Sequence, residues 1–173
     1  LLLLLLAVGC GGGGGGGGGG GVTEPQPGVS FQPGTPSENS VFLSHGNPGE
    51  SETFRLVVQA RAVEDLYAVA FDLVFPGRVL EFEGATEGSH LAAEGVETTL
   101  QVAQSAPGRL VVGHSRLGRV GGVDGSGVLM ELSFRVTEGG TGEIGFEDRQ
   151  AFGPDGEGKS TVSWVGGTIT VTR

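Results

Sequence analysis

The chain has 173 residues and a net charge of −10, and 36 of its residues are glycine, which is about three times the usual background of roughly 7%. The absence of a Gly-X-Y period excludes collagen, and 37% hydrophobic with 17% charged residues is too apolar for a disordered chain. No basic cluster is present, so nucleic acid is excluded as a partner. About 135 residues follow a low-complexity start, which is enough for one domain.

Residues 1–10 are typical of a secretion signal. The apolar run at 1–8 is too short to span a bilayer, which takes about 20 residues, but it matches the hydrophobic part of a signal peptide. It lacks a Met and a basic start, so we expect the true N-terminus to lie upstream. The stretch Ala7-Val8-Gly9-Cys10 resembles the lipobox of bacterial lipoproteins, which implies that Cys10, the only cysteine, is lipidated and that Gly11 favours outer-membrane sorting. An ordinary signal peptide with a chance cysteine is the alternative.

Residues 11–38 are predicted to be a flexible linker. Eleven consecutive glycines, 11–21, would span roughly 20 Å as a flexible chain. The proline-containing residues 22–38 should be extended and stiffer. We therefore expect an anchor, a tether and one folded domain at 39–173.

The folded part is predicted to be all-β. Short alternating or apolar runs are separated by Gly, Pro and Asp, and no stretch has a capped helical period, so we expect little or no helix beyond one turn near 91–94. In the run 66–75, bulky residues from Tyr67 to Phe75 share one face, and Ala68, Ala70 and Asp72 share the other. Nine such runs favour a sandwich or barrel. They are 41–43, 53–62, 66–75, 79–82, 98–103, 109–115, 128–136, 143–147 and 162–172.

Three segments resemble the cohesin family. They are LYAVAFDLVF at 66–75 with VLEF at 79–82 and GSHL at 88–91; GVLMELSFRV at 127–136; and IGF at 144–146 with VSWVGGTITV at 162–171. The resemblance covers residues 41–172 and implies a nine-stranded jelly-roll β-sandwich that binds a dockerin module on another protein. Since dockerins carry paired calcium loops, it implies calcium chiefly on the partner and no cofactor on this chain.

The chain departs from the family pattern at the expected binding face. Cohesins have "Tyr-Asp-Pro" where this chain has Phe75-Pro76-Gly77, and they carry an Asn and an Asp that hydrogen-bond the dockerin where this chain has Ala68 and Ala70. We expect a neighbouring strand to complete a flat, mostly apolar surface here, unless loops cover it. The predicted partner-binding face consists of Ala68, Ala70, Asp72, Leu110, Val112 and His114.

Several motifs suggest catalysis or metal binding but lack the required context. Residues 153–160 fit the P-loop pattern, but that loop needs a helix after it and a β-like run follows. Residues 113–118 resemble a nucleophile elbow, but no histidine follows His114. Turn chemistry accounts for the acidic stretches at Asp124 and Asp155. We therefore predict no catalytic residue and no metal ligand.

The leading hypothesis is a lipid-anchored, non-enzymatic cohesin-like module that holds a dockerin-bearing or other secreted protein at the outer membrane or cell surface, a setting associated with polysaccharide degradation. The membrane is contacted through the lipid only. A carbohydrate-binding sandwich is the alternative, but Trp164 and Tyr67 both fall on predicted core faces, whereas flat glycan sites need exposed rings. An enzyme of unrecognised type and a structural subunit of an envelope assembly remain further possibilities.

Overall fold

The computed structural model describes residues 28–46 and 52–173. This part of the chain contains eleven strands and one short 3-10 helix, Ala93–Gly95. The strands are β1 (Gly28–Pro33), β2 (Ser40–His45), β3 (Thr53–Leu66), β4 (Ala68–Val74), β5 (Leu80–Glu87), β6 (Thr98–Ala106), β7 (Arg109–Arg116), β8 (Val123–Val136), β9 (Gly140–Phe152), β10 (Ser163–Val165) and β11 (Gly167–Thr172). No helix in the described ranges is long and apolar enough to cross a bilayer.

The strands form two sheets that pack face to face. One sheet has six strands in the order β1-β11-β9-β4-β7-β6, and the other has five in the order β10-β2-β3-β8-β5. Neighbouring strands are antiparallel except for β10 and β2, which are parallel. The fold is therefore a jelly-roll β-sandwich, as predicted.

The core lies between the sheets because the strands alternate in polarity. In β3, Phe54, Leu56 and Val58 are at most 1% exposed, whereas Arg55 points to solvent. Phe134 of β8 is fully buried, and its ring centroid lies 5.0 Å from that of Phe75 across the sandwich. This one apolar layer, shared by both sheets, makes the domain a single unit.

Each of the nine predicted runs coincides with at least part of a strand. The structure has two strands more than predicted, because the last run forms two strands and β1 was not among the predicted runs. The last run, 162–172, divides at Gly166: β10 joins the five-stranded sheet and β11 joins the six-stranded sheet. A Cβ at Gly166 would lie 2.3 Å from the carbonyl oxygen of Ile144, so only glycine permits this crossing. The single turn expected near 91–94 corresponds to the 3-10 helix.

The other additional strand, β1, lies inside the range 11–38 that was interpreted as linker. β1 pairs with β11 from Gly28 to Pro33, and this pairing buries Phe31 to 8% exposure. β1 has few apolar residues and they stand beside prolines, so its sequence is typical of an extended linker. Residues 28–38 therefore belong with the domain, while the predicted signal peptide at 1–10, Cys10 and the glycine run lie outside the described residues.

Candidate protein-binding face

The outward face of β4 carries the three residues predicted for it. Val69, Phe71 and Leu73 point into the core and are at most 2% exposed. Ala68, Ala70 and Asp72 alternate with them and lie on the outer surface of the six-stranded sheet, each half-buried. The predicted orientation of this strand is therefore correct.

The three residues predicted on β7 lie on the opposite side of the sheet. Leu110, Val112 and His114 are 0%, 2% and 1% exposed, and they face the core. Two residues that pair across adjacent strands point to the same face of the sheet. An error of one residue in the assumed pairing therefore exchanges the inward-facing and outward-facing residues of a strand. The assignment of Leu110, Val112 and His114 to the partner-binding face was wrong by that one residue.

The register places a different set of β7 residues on the outer face. Val111 lies opposite Asp72, and Gly113 lies opposite Ala70. Val111 is 46% exposed, which makes it one of two large hydrophobic residues that the described part exposes. On the next strand, β6, Ala103 lies beside Val111. Arg109 and Ser115 are polar and alternate in step with Val111, so all three lie on one face of the strand. This alternation is the sequence pattern that could have identified the outward residues of β7.

We define the open face by the outward residues of four adjacent strands of the six-stranded sheet, β9, β4, β7 and the edge strand β6. They are Ala68, Ala70, Asp72 and Val74 on β4, Arg109, Val111, Gly113 and Ser115 on β7, Gln101 and Ala103 on β6, and Glu147 and Gln150 on β9. Its centre is built from small or apolar side chains. Such a surface loses little hydration energy when another protein covers it.

One end of the open face carries an ion cluster centred on Arg109. Its guanidinium donates to Asp72 at 2.6 Å on β4 and to Glu147 at 2.7 Å on β9. It also donates to Asp148 at 3.2 Å, a residue with φ of 44° in a bulge of β9. The hydrogen bonds to Asp72 and Glu147 raise the pKa of Arg109. The cluster links side chains of three neighbouring strands, β9, β4 and β7.

Behind the open face, two histidines and an arginine are buried between the sheets. His90 and His114 are 8% and 1% exposed, and three of their four ring nitrogens, all but Nδ1 of His90, are buried without a hydrogen-bond partner. Burial lowers the pKa of His114 against the opposing charge of Glu87, and burial with the nearby Arg116 lowers that of His90. Arg116 is 3% exposed, and its Nη1 donates to the carbonyl of Leu91 at 2.8 Å. This group therefore lies inside the protein and cannot contact a partner.

The outer face of the five-stranded sheet is chemically different. Arg55 of β3 donates to Glu131 of β8 at 3.0 Å. Arg135 of β8 pairs with Glu81 and Glu83 of β5. Oppositely charged residues thus stand on adjacent strands along this surface, an arrangement typical of a solvated sheet face.

Of the motifs set aside on context, the stretch 153–160 forms a turn, whereas Asp124, for which a turn was expected, lies within β8, and residues 113–116 belong to β7. In the P-loop-like stretch 153–160, the amide of Gly153 donates to the carbonyl of Glu157 at 3.1 Å, and β10 follows instead of a helix. Asp124 accepts the amide of Asp65 at 2.6 Å, and Asp155 accepts that of Glu157 at 3.0 Å. No cluster of three or more metal-ligating side chains occurs among the residues described.

The two aromatic side chains considered for glycan binding are engaged in the fold. The ring of Trp164 packs against Phe71 and Phe146, with centroids 5.7 and 5.1 Å apart. The hydroxyl of Tyr67 donates to the carbonyl of Gly118 at 2.7 Å. Neither ring belongs to the open face.

Comparisons with known proteins agree with this architecture. A family model for the cohesin domain matches residues 41–171. A type II cohesin from Acetivibrio cellulolyticus, solved as a cohesin–X-dockerin complex, is 12% identical with a TM-score of 0.61, over 74% of this chain and 98% of that one. No curated protein is similar enough in sequence to count as a relative.

Two further structures come from different contexts. A non-cellulosomal cohesin from the archaeon Archaeoglobus fulgidus is 18% identical with a TM-score of 0.53, over 80% of this chain and 88% of that one. A cohesin module from a family 33 glycoside hydrolase of Clostridium perfringens is 7% identical with a TM-score of 0.57, over 83% of this chain and 97% of that one. At these identities the likeness concerns the fold. Since the family model spans most of the chain, the chain belongs to the cohesin family, whose modules are protein–protein docking domains.

Proposed function

We propose that this module docks a dockerin-bearing or other secreted protein on its open face and holds it at the cell envelope. The observation that carries the proposal is the contrast in chemistry between the sandwich's two outer surfaces. The open face has alanine, glycine and valine around Val111, which is 46% exposed, and its ion pairs converge on Arg109, whereas the ion pairs of the other surface are distributed over β3, β8 and β5. A partner can exclude water from the first surface at low cost, because few charges there must be desolvated.

The architecture of relatives supports a dockerin as the partner class. A solved structure with the same fold is described as a type II cohesin–X-dockerin complex. The departure at Ala68 and Ala70 removes two side chains that the family uses for hydrogen bonds. The contact on this chain therefore depends on apolar area, and the partner is expected to present an apolar surface of its own.

A capture experiment tests the proposal directly. The chain from Gly11 onward, immobilised on beads, is incubated with secreted proteins of the source organism in calcium and, in parallel, in chelator. We expect a protein with paired calcium-binding loops to be retained in calcium and released by chelator, because dockerin folding depends on that ion. Retention of no such protein would contradict dockerin binding, and retention of the chain on insoluble polysaccharide would favour the carbohydrate-binding alternative.

Lipid anchoring at Cys10 is a separate part of the proposal and rests on the lipobox-like sequence alone. Cys10→Ser removes the thiol that would receive the lipid. In a bacterial host, with a start codon and basic residues added upstream, the parent chain should fractionate with membranes and the C10S chain should not. Equal distribution of both chains would contradict anchoring while leaving the docking proposal intact.

A further inference from the structure

A cavity of about 470 Å³ opens beside β9, next to the open face. It exists because β11 pairs with β9 only as far as Ile144, while β10 crosses to the other sheet. Beyond Ile144, none of the described strands pairs with this flank of β9, and the turn that follows β9 bonds to its last residues. Gln150, which lies opposite Ala70 in the register, is part of the cavity wall and connects it to the open face.

The turn after β9 forms the opposite wall. The amide of Lys159 donates to the carbonyl of Ala151 at 2.7 Å, and this bond folds residues 153–160 back along β9. Lys159 and Ser160 consequently line the same cavity as Arg149 and Gln150, with Trp164 also in the wall. The P-loop-like motif thus contributes a lysine and a serine to a cavity, in a geometry unrelated to nucleotide binding.

The polar lining of this cavity consists mainly of hydrogen-bond donors. Arg149 and Lys159 can only donate, as can the indole N–H of Trp164. Neither cation is ion-paired with any residue of the described ranges. Arg149 uses Nη1 to donate to the carbonyl of Phe146 at 3.1 Å, which leaves the rest of the fork available.

No carboxylate lines the cavity, although the chain carries a net charge of −10. Asp155 of the turn accepts the amide of Glu157 at 3.0 Å, and its carboxylate and the Lys159 ammonium both lie beside Gly153 without forming an ion pair. Glu64 lines the neighbouring cavity on the other side of Lys159 and Ser160. Two cations line one concave space whose wall contains no carboxylate, and this arrangement complements an anionic group from outside.

We propose that this cavity receives the carboxylate of an aspartate or glutamate side chain of the docked protein. The planar fork of Arg149 suits a carboxylate, with Lys159 as a second charge and the indole N–H and Ser160 as further donors. Gln150 lies both in the cavity wall and on the open face, so a side chain of a protein docked on that face can reach the cavity. The inference rests on the proposed docking function and adds the charge of the partner at this end of β4.

The single tryptophan allows the site to be tested without the partner. The full chain is titrated to 100 mM with N-acetylglutamate methylamide, which offers one side-chain carboxylate, and with N-acetylglutamine methylamide, which differs only in that group. Fluorescence of Trp164 and the NMR signal of its indole N–H report on the cavity at constant ionic strength. We expect a saturable shift with the carboxylate and about tenfold less response with the amide.

Charge-removing variants locate the effect. Arg149→Gln and Lys159→Gln should each weaken carboxylate binding by about tenfold, whereas the matched control Arg78→Gln, an exposed arginine elsewhere, should not. Equal responses to carboxylate and amide, or no effect of R149Q and K159Q, would overturn the inference. A stronger response to inorganic phosphate than to the carboxylate would also overturn it, because the site would then favour a different anion.

The docking assay separates this inference from the function on which it rests. If a partner binds but R149Q and K159Q leave its affinity unchanged, the cavity proposal fails and docking stands. If the model carboxylate binds but no protein is retained in calcium, the docking proposal fails and the anion site stands. Loss of affinity in both variants with R78Q unaffected supports both.

Discussion

The two outer surfaces of the sandwich are both β-sheet faces, but they differ in where their charged and apolar residues lie. On the five-stranded sheet, charged residues of opposite sign are paired across strands, directly opposite each other for Arg135 and Glu81 and diagonally for Arg55 and Glu131. On the six-stranded sheet, the central positions opposite one another are Ala70 with Gly113 and Asp72 with Val111. This difference is the basis of the proposal that a partner covers the open face.

The charges that the open face does carry lie along one side of its apolar centre. Arg109 pairs with Asp72 on β4 and with Glu147 and Asp148 on β9, and Arg149 follows Asp148 directly on the same strand. Interfaces between proteins commonly combine apolar contact at the centre with charged residues around it. A partner would gain affinity from the apolar residues and orientation from the charged ones.

The largest predicted effect is the loss of docking when a charge is placed at the centre of the open face. Val111→Arg introduces a cation where a partner would exclude water, and we expect the affinity for the captured partner to fall about 30-fold or more. The matched control is Val57→Arg at the centre of the other surface, beside Glu131, which should leave the affinity unchanged. Isothermal titration with the captured partner measures both.

Two results would break the comparison between the surfaces. Equal loss of affinity in V57R and V111R would mean that the five-stranded sheet also contributes to docking. Full affinity of V111R would place the docking site away from the open face. Both variants should unfold within about 0.5 kcal/mol of the parent chain, because the altered side chains lie on the surface.

The strand pattern was predictable from sequence because alternation within a strand is a local property. The run 66–75 shows it clearly: Val69, Phe71 and Leu73 are buried, and Ala68 and Ala70 point outward, as predicted. Sandwich architecture followed from the number and spacing of such runs. These features need no knowledge of which strands become neighbours.

Which residues of β7 share the open face was not predictable in the same way. Residues 110–112 are all apolar, so alternation alone does not show which of them are buried, and a polar histidine at 114 favoured the wrong choice. Register depends on pairing between β4 and β7, which are separated by more than thirty residues along the chain. The same long-range pairing hides β1, whose role appears only once β11 is beside it.

The interior between the two surfaces predicts a pH dependence of stability. Burial lowers the pKa of His114 and His90 in the folded protein, whereas the unfolded chain titrates near 6.5. As the pH falls, the unfolded state therefore binds more protons than the folded state. The free energy of unfolding has its full value above about pH 6.5 and decreases below that pH, by at most about 1.4 kcal/mol per pH unit for each histidine. Urea unfolding at pH 7.5 and pH 5.5 measures this slope.

His114→Leu should reduce the slope, because a fully buried leucine has no proton to bind. The exposed His45 provides the control, and His45→Gln should retain the slope of the parent chain. Equal stability of the parent at both pH values would contradict the prediction. A slope that persists in H114L and disappears in H45Q would transfer the effect from the interior to the surface.

The smallest predicted effect concerns the ion pairs of the five-stranded sheet. Arg55 and Glu131 are 47% and 33% exposed, and exposed pairs gain little because water screens them and two long side chains must be ordered. A double-mutant cycle of Arg55→Gln and Glu131→Gln should give a coupling energy below about 1 kcal/mol, and less in 0.5 M salt. A larger, salt-resistant coupling would mean that this surface uses its charges for stability. In that case, the contrast with the open face would reflect how each sheet is held together, and it would no longer argue that one surface is kept for a partner.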